Sequence, residues 1–131
     1  MTIGIDHVAI AAKDPQALAD WYVEVLGFEV VSHNGQSPPT VLVGGPSGAS
    51  IEIMPDNGRP IVEHGWADPG IRHLALRVEN LDDARASLEA AGRREIRPGG
   101  EAMGGGTLWN FDDPEGNVLQ IVERPGGFRT V

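Results

Sequence analysis

The sequence predicts an α+β fold built from two βαβββ modules whose four-stranded mixed sheets form a cup. Three observations carry this expectation. Gly4-Ile5-Asp6-His7-Val8-Ala9-Ile10 returns as Gly70-Ile71-Arg72-His73-Leu74-Ala75-Leu76, a shift of 66. Pro46, Gly48, Ile51, Glu52 and Ile53 return as Pro114, Gly116, Leu119, Gln120 and Ile121, a shift of 68. Each opening strand is also followed by apolar residues at helical spacing. Two shifts that differ by two residues and keep sequence order indicate a duplicated unit with small insertions. The modules span 3–55 and 70–124, joined by a linker at 56–69, and the 131 residues are read as one domain.

Each element has a local reason. The two opening segments alternate apolar and polar positions and read as strands. Asp14-Pro15 supplies a helix cap with proline at the first helical position, and Ala17, Leu18, Trp21, Tyr22, Val25 and Leu26 recur at helical spacing before Gly27 ends the run. In the second module Asn80 caps a helix carrying Leu81, Ala84, Leu88 and Ala91 into Gly92. The remaining strands are expected at Phe28–Val31, Thr40–Val43, Arg94–Ile96 and Thr107–Phe111, with Ile51–Ile53 and Leu119–Ile121 closing the modules. The stretch from Arg97 to Gly106 holds five glycines and reads as a hairpin loop or a mobile lid; no Gly-Lys-[Ser/Thr] follows, so it is not a phosphate loop. His33 and His64 fall in expected loops, away from the site. Arg93 and Arg94 near a helix end match the helix dipole.

Composition narrows the function. A chain of this length buries a core without staples. It has no cysteine, so disulfides, thiolate-held metals and a cysteine nucleophile are excluded, and a metal must rest on His, Asp, Glu or amide oxygen. Net charge is −9 with only ten scattered basic residues, which argues against nucleic acid as a partner. No apolar run approaches the roughly 18 residues of a membrane span, and the start lacks a basic signal segment. The expectation is a cytoplasmic protein acting on a small molecule, with no membrane or nucleic-acid partner.

Strand alternation assigns faces. The large aliphatics Val8, Ile10, Ile51, Ile53, Leu74, Leu76, Leu119 and Ile121 would meet the helices. His7, Glu52, His73 and Gln120 are left together on the opposite faces. Unpaired polar groups on a concave apolar face cost several kcal/mol, and a divalent cation is one way to satisfy all four. Taken singly, a buried histidine is more often hydrogen-bonded than metal-bound, and a strand glutamate is usually solvated. The matched positions in both repeats are what favour a metal. Met54, Arg77, Met103 and Trp109 are assigned to a substrate pocket, with Trp66 a further apolar wall; the aromatic and thioether residues would serve equally as core packing.

The motifs quoted, with Trp21-Tyr22-Val23-Glu24-Val25-Leu26-Gly27-Phe28 and Asp113-Pro114-Glu115-Gly116-Asn117, resemble the vicinal oxygen chelate superfamily, also called the glyoxalase/bleomycin resistance/dioxygenase family, over nearly the whole chain. The resemblance implies the glyoxalase-like fold and one divalent metal ion per site (Ni, Zn, Fe or Mn). It implies ligands from the first and last strand of each module, here His7, Glu52, His73 and Gln120. Glyoxalase-like members and extradiol dioxygenases typically carry Glu at the last position, so Gln120 departs from both. The departure removes a negative charge from the metal, making it a stronger Lewis acid in a weaker trap, and leaves Glu52 as the catalytic base. Three functions follow: a metal-dependent lyase or isomerase on a small α-oxygenated carbonyl compound, a mononuclear Fe(II) dioxygenase, or a metal-free drug-binding protein of the bleomycin-resistance type. A homodimer is expected, because bare four-stranded sheets expose long edges.

Overall fold

The computed structural model describes residues 1–46 and 48–126. The chain forms two compact units, Met1–Pro60 and a second beginning at Ile61. Each contains one of the expected modules. In the first unit the order is β1 (His7–Ala12), α1 (Pro15–Leu26), β2 (Glu29–His33), β3 (Val41–Gly44) and β4 (Ser50–Pro55). The strands lie in the order β1-β4-β3-β2, with β1 parallel to β4 and the other pairs antiparallel. The second unit repeats this as β5 (Leu74–Arg77), α2 (Leu81–Ala90), β6 (Arg97–Glu101), β7 (Thr107–Asp112) and β8 (Val118–Glu123), ordered β5-β8-β7-β6. Two four-stranded mixed sheets with helices make the chain α+β.

Both helices start where the capping side chains predict. The Asp14 carboxylate accepts from the Ala17 N–H at 3.1 Å, and Pro15 occupies the first turn, where no N–H is needed. Asn80 does the same for Asp83 N–H at 2.9 Å. Gly27 ends α1 in the left-handed region at φ 74°, a conformation that costs glycine nothing. Leu18, Ala19 and Tyr22 of α1 are buried with Ile10, Val41, Val43, Ile51 and Ile53. In the second unit Leu88 of α2 is buried with Trp109, Phe111, Leu119 and Ile121. The apolar sides chosen by alternation carry the core, and in the second unit Asn110, Gln120 and Val122 on the opposite side are buried as well.

The turn ahead of β8 is closed by two backbone hydrogen bonds, Asp113 N–H to Asn117 O and Gly116 N–H to Asp113 O, and braced by one side chain. Buried Asp113 accepts from the N–H groups of Glu115 and Asn117 at 2.9 and 3.0 Å, and from the Asn117 amide at 2.8 Å. Gly116 takes φ 89° there. The carboxylate thus replaces the hydrogen bonds the turn backbone cannot make for itself.

Three expectations are corrected. The strand placed at Arg94–Ile96 lies instead at Arg97–Glu101, inside the glycine-rich stretch. It is the edge strand, where proline is tolerated, and its pairing slips between Arg97 and Gly100 in a bulge. The hairpin loop is accordingly shorter, running from Ala102 to Gly106, with Ala102 N–H bonded to Gly106 O at 2.9 Å. His33 is the last residue of β2 rather than a loop residue, and its Nε2 lies 3.0 Å from Gln16 Oε1. Among the described residues no helix is long and apolar enough to cross a membrane.

Candidate functional site

In the first unit β1 and β4 run parallel with Ala9 opposite Glu52, so His7 lies two residues before Glu52's partner on the same face. The two side chains meet, with His7 Nε2 3.1 Å from Glu52 Oε2. They are 41 % and 34 % exposed, which leaves both reachable from solvent. Asp6 stands behind them, its Oδ2 2.7 Å from His7 Nδ1. A carboxylate on Nδ1 holds a proton there and leaves Nε2 directed at Glu52, and a carboxylate on Nδ1 is the usual partner behind a ligating histidine. That hydrogen bond raises the His7 pKa above its ordinary 6.5; desolvation opposes it, and the nearby Glu52 charge adds to it. Met54 shares this face two residues beyond Glu52, opposite Ala11.

The second unit repeats the register. Ala75 lies opposite Gln120 and Arg77 opposite Val122, so His73, just before β5, occupies the place that His7 takes relative to Glu52. Gln120 is 6 % exposed. His73 Nδ1 is buried with no hydrogen-bond partner, and the ring stacks on Trp66 at 5.4 Å and 16°. Arg97 lays its guanidinium over the same indole, 3.9 Å from the ring centre. Trp66 therefore covers the polar face of this sheet between His73 and Arg97. Asp6 has no counterpart here: the matching Arg72 turns its guanidinium to the carbonyls of Gly65, Pro69 and Gly70.

The four expected ligand positions thus fall as one touching pair, His7 and Glu52, and one pair sharing a face, His73 and Gln120. Among the described residues no three His, Asp or Glu side chains are grouped so as to hold a metal ion by themselves. The donors suit a divalent cation. Metal–ligand bonds of about 2.0–2.2 Å put neighbouring donor atoms roughly 3 Å apart, close to the His7–Glu52 separation, and an orphaned buried imidazole nitrogen lacks the partner that buried polar atoms normally have.

The pocket residues divide. Met54 and Arg77 lie on the polar faces. Trp109 does not: it pairs with Ile121, on the helix side of the sheet, where it stacks on Phe111 at 5.5 Å under Arg85 of α2. Alternation along β7 carries the same message, because Trp109 and Phe111 share one side of the strand and Asn110 takes the other. Met103 is at the hairpin tip, 92 % exposed. Sequence reasoning misses two residues: Asp6, and Asn110, which is 2 % exposed directly opposite Gln120. A signal exists for the second, since a shift of 68 maps Asn110 onto Leu42 and marks it as a polar intrusion.

Residues 4–121 match the family model described as Glyoxalase/Bleomycin resistance protein/Dioxygenase superfamily. The chain belongs to this superfamily. Among its relatives in the superfamily, the lactoylglutathione lyase of Escherichia coli O157:H7 is 31% identical over 124 residues, 89% of this chain and 90% of that protein. The ethylmalonyl-CoA/methylmalonyl-CoA epimerase of Cereibacter sphaeroides is 32% identical over 106 residues, 76% of this chain and 79% of that protein. An iron-dependent extradiol dioxygenase of Rhodococcus jostii is 30% identical over 100 residues, 72% of this chain, but the match spans only 33% of that protein. The crystal structure of a glyoxalase family protein from Enterococcus faecalis superposes with a TM-score of 0.75 at 31% identity, covering 92% of this chain and 97% of that one.

Proposed function

We propose that this superfamily member is a divalent-metal-dependent lyase or isomerase of the glyoxalase type, acting on a small α-oxygenated carbonyl compound. His7, Glu52, His73 and Gln120 are the proposed ligand positions. The observation that carries the reading is the Asp6–His7–Glu52 chain, in which a half-exposed carboxylate is held beside an oriented imidazole. A bound divalent ion would polarise the substrate carbonyl and offset the negative charge that develops on its oxygen.

The chain's own residues supply the rest. Glu52 removes the proton from the carbon next to the carbonyl; the C–H electron pair moves into the C–C bond and the carbonyl π pair onto oxygen. The same carboxylate returns the proton to the former carbonyl carbon while the proton of the α-hydroxyl passes to the other oxygen, so the product is an isomer of the substrate and no oxidant is consumed. Gln120 has no basic oxygen for this step and contributes only an amide oxygen or a hydrogen bond. Met54 on the polar face of the first unit's sheet and Arg77 on that of the second are proposed as an apolar and a cationic contact for the substrate. The names of the lyase and epimerase relatives, which this chain matches over most of their length, support the assignment.

The iron-dependent dioxygenase relative supports a second reading. If brought together, His7, His73 and Glu52 would supply the two-histidine, one-carboxylate donor types that suit Fe(II). Elemental analysis separates the two. Protein purified without a metal-affinity tag is incubated with Fe(II), Ni(II), Mn(II) or Zn(II), beside Glu52→Ala and His73→Ala. Retention of nickel or zinc without oxygen uptake, lost in both variants, is the expected result. Iron with oxygen uptake selects the dioxygenase, and less than about 0.1 metal per chain overturns both readings. Gln120→Glu is expected to tighten binding by restoring a charge.

A further inference from the structure

We infer that Asn110 is a positioning residue that turns the Gln120 amide so that its oxygen, not its nitrogen, faces the bound cation. The inference rests on the proposed metal reading and adds a residue to it.

The starting point is a difference between the repeats. Glu52 on β4 lies opposite Leu42, and Gln120 on β8 lies opposite Asn110. A carboxylate offers an oxygen to a cation whichever way it is turned. A carboxamide does so in only one of its two flips, and in the other it aims two N–H groups at a positive charge. The acid therefore needs no orienting neighbour, and leucine suffices across from it. The amide needs one.

Asn110 has the right group free. Its Nδ2 donates to the carbonyls of Arg97 and Pro98 on β6, both at 3.4 Å, which spends the donor end of the amide on the edge strand. Its Oδ1 is buried without a hydrogen-bond partner, and β8 lies on the other side of β7 from β6. A buried unpaired acceptor normally finds a donor. Residues directly opposite in an antiparallel pair have Cβ atoms about 4.5–5.5 Å apart, so the Gln120 Nε2–H is within side-chain reach. Donation from Gln120 Nε2 to Asn110 Oδ1, a bond the structure does not itself make, would satisfy the orphan and leave Gln120 Oε1 as the outward end. The bulge in β6 supplies the two carbonyls that hold Asn110 in this flip.

The test is a double-mutant cycle read by calorimetric titration with Ni(II) alone. Asn110→Leu places in the second module the residue that the first already carries at that position. In the Gln120 background it is expected to weaken Ni(II) binding roughly tenfold or more, as loss of an outer partner does. In the Gln120→Glu background, where either oxygen can ligate, the same change is expected to leave affinity within about twofold. Equal losses in both backgrounds would make Asn110 only the stitch that closes the β6 bulge, and no loss in either would leave it without a role; both overturn the inference. Asn110→Ala repeats the comparison without adding bulk, should thermal melting show that the leucine variant does not fold. Failure of the underlying reading looks different: wild type then binds no Ni(II), or binds it equally well as Gln120→Leu.

Discussion

At the scale of single residues, His7 shows how a proposed ligand position is oriented by its neighbour. Asp6 holds Nδ1 at 2.7 Å and is the main reason the imidazole pKa is raised, with Glu52 adding to it. A raised folded-state pKa means that the stabilisation is fully present below about 6.5 and is lost as pH rises through the folded value. Metal binding has the opposite sign, because the imidazole must be neutral to ligate. Asp6→Asn is therefore expected to lower the His7 pKa toward its ordinary value, measured by NMR titration of the ring. It should also shift the acid loss of metal binding to lower pH. An unchanged His7 titration would show that Asp6 does not govern it. The four proposed ligand positions are legible in the sequence, because the repeat sets His7 against His73 and Glu52 against Gln120. Asp6 is not, since its counterpart Arg72 breaks the repeat, and the orientation of a side chain beside its own neighbour is not encoded in periodicity.

At the scale of elements, the sequence reads well where one local signal dominates. Asp14-Pro15 and Asn80 start the helices, Gly27 ends the first, and alternation assigns the sides of β4 and β8 that carry the large aliphatics. It fails at β6, where Arg97-Pro98-Gly99-Gly100-Glu101 has the composition of a loop. What makes a strand there is contact with β7, and that contact needs glycine: a Cβ on Gly99 would collide with the Leu108 carbonyl oxygen, which is backbone and cannot swing aside. Gly99→Ala should therefore cost about 1–3 kcal/mol or more in chemical denaturation. Gly100→Ala also carries a penalty, since φ is 146° there, but nothing lies within 4 Å of its Cβ, so that cost comes from the backbone alone. A melting curve for Gly99→Ala that overlays wild type would contradict the close approach. Gly106 is placed the same way against the Glu123 carbonyl, and Arg124 ties the hairpin by bonding the carbonyls of Met103 and Gly105.

At the scale of the molecule, each sheet has two edge strands, β1 and β2 in the first and β5 and β6 in the second. Every residue of β2 is exposed, Val30 and Val31 among them, and an open apolar edge favours pairing with another chain. Sedimentation velocity is expected to find a species of twice the chain mass, and Val31→Lys to weaken it if β2 is the pairing edge. A monomer at all accessible concentrations would refute the dimer. By itself the sequence determined the duplicated βαβββ plan, the helix caps, the strand sides that carry the large aliphatics and the four matched polar positions, because these follow from periodicity, capping chemistry and an internal repeat, all of which are local or self-referential. Only the tertiary structure decided that Asp6 backs His7, that Trp66 covers His73, that β6 is a strand, and that Asn110 lies across from Gln120 with an unpaired oxygen. These depend on which strands become neighbours and in what register, and such pairing joins residues far apart in the chain.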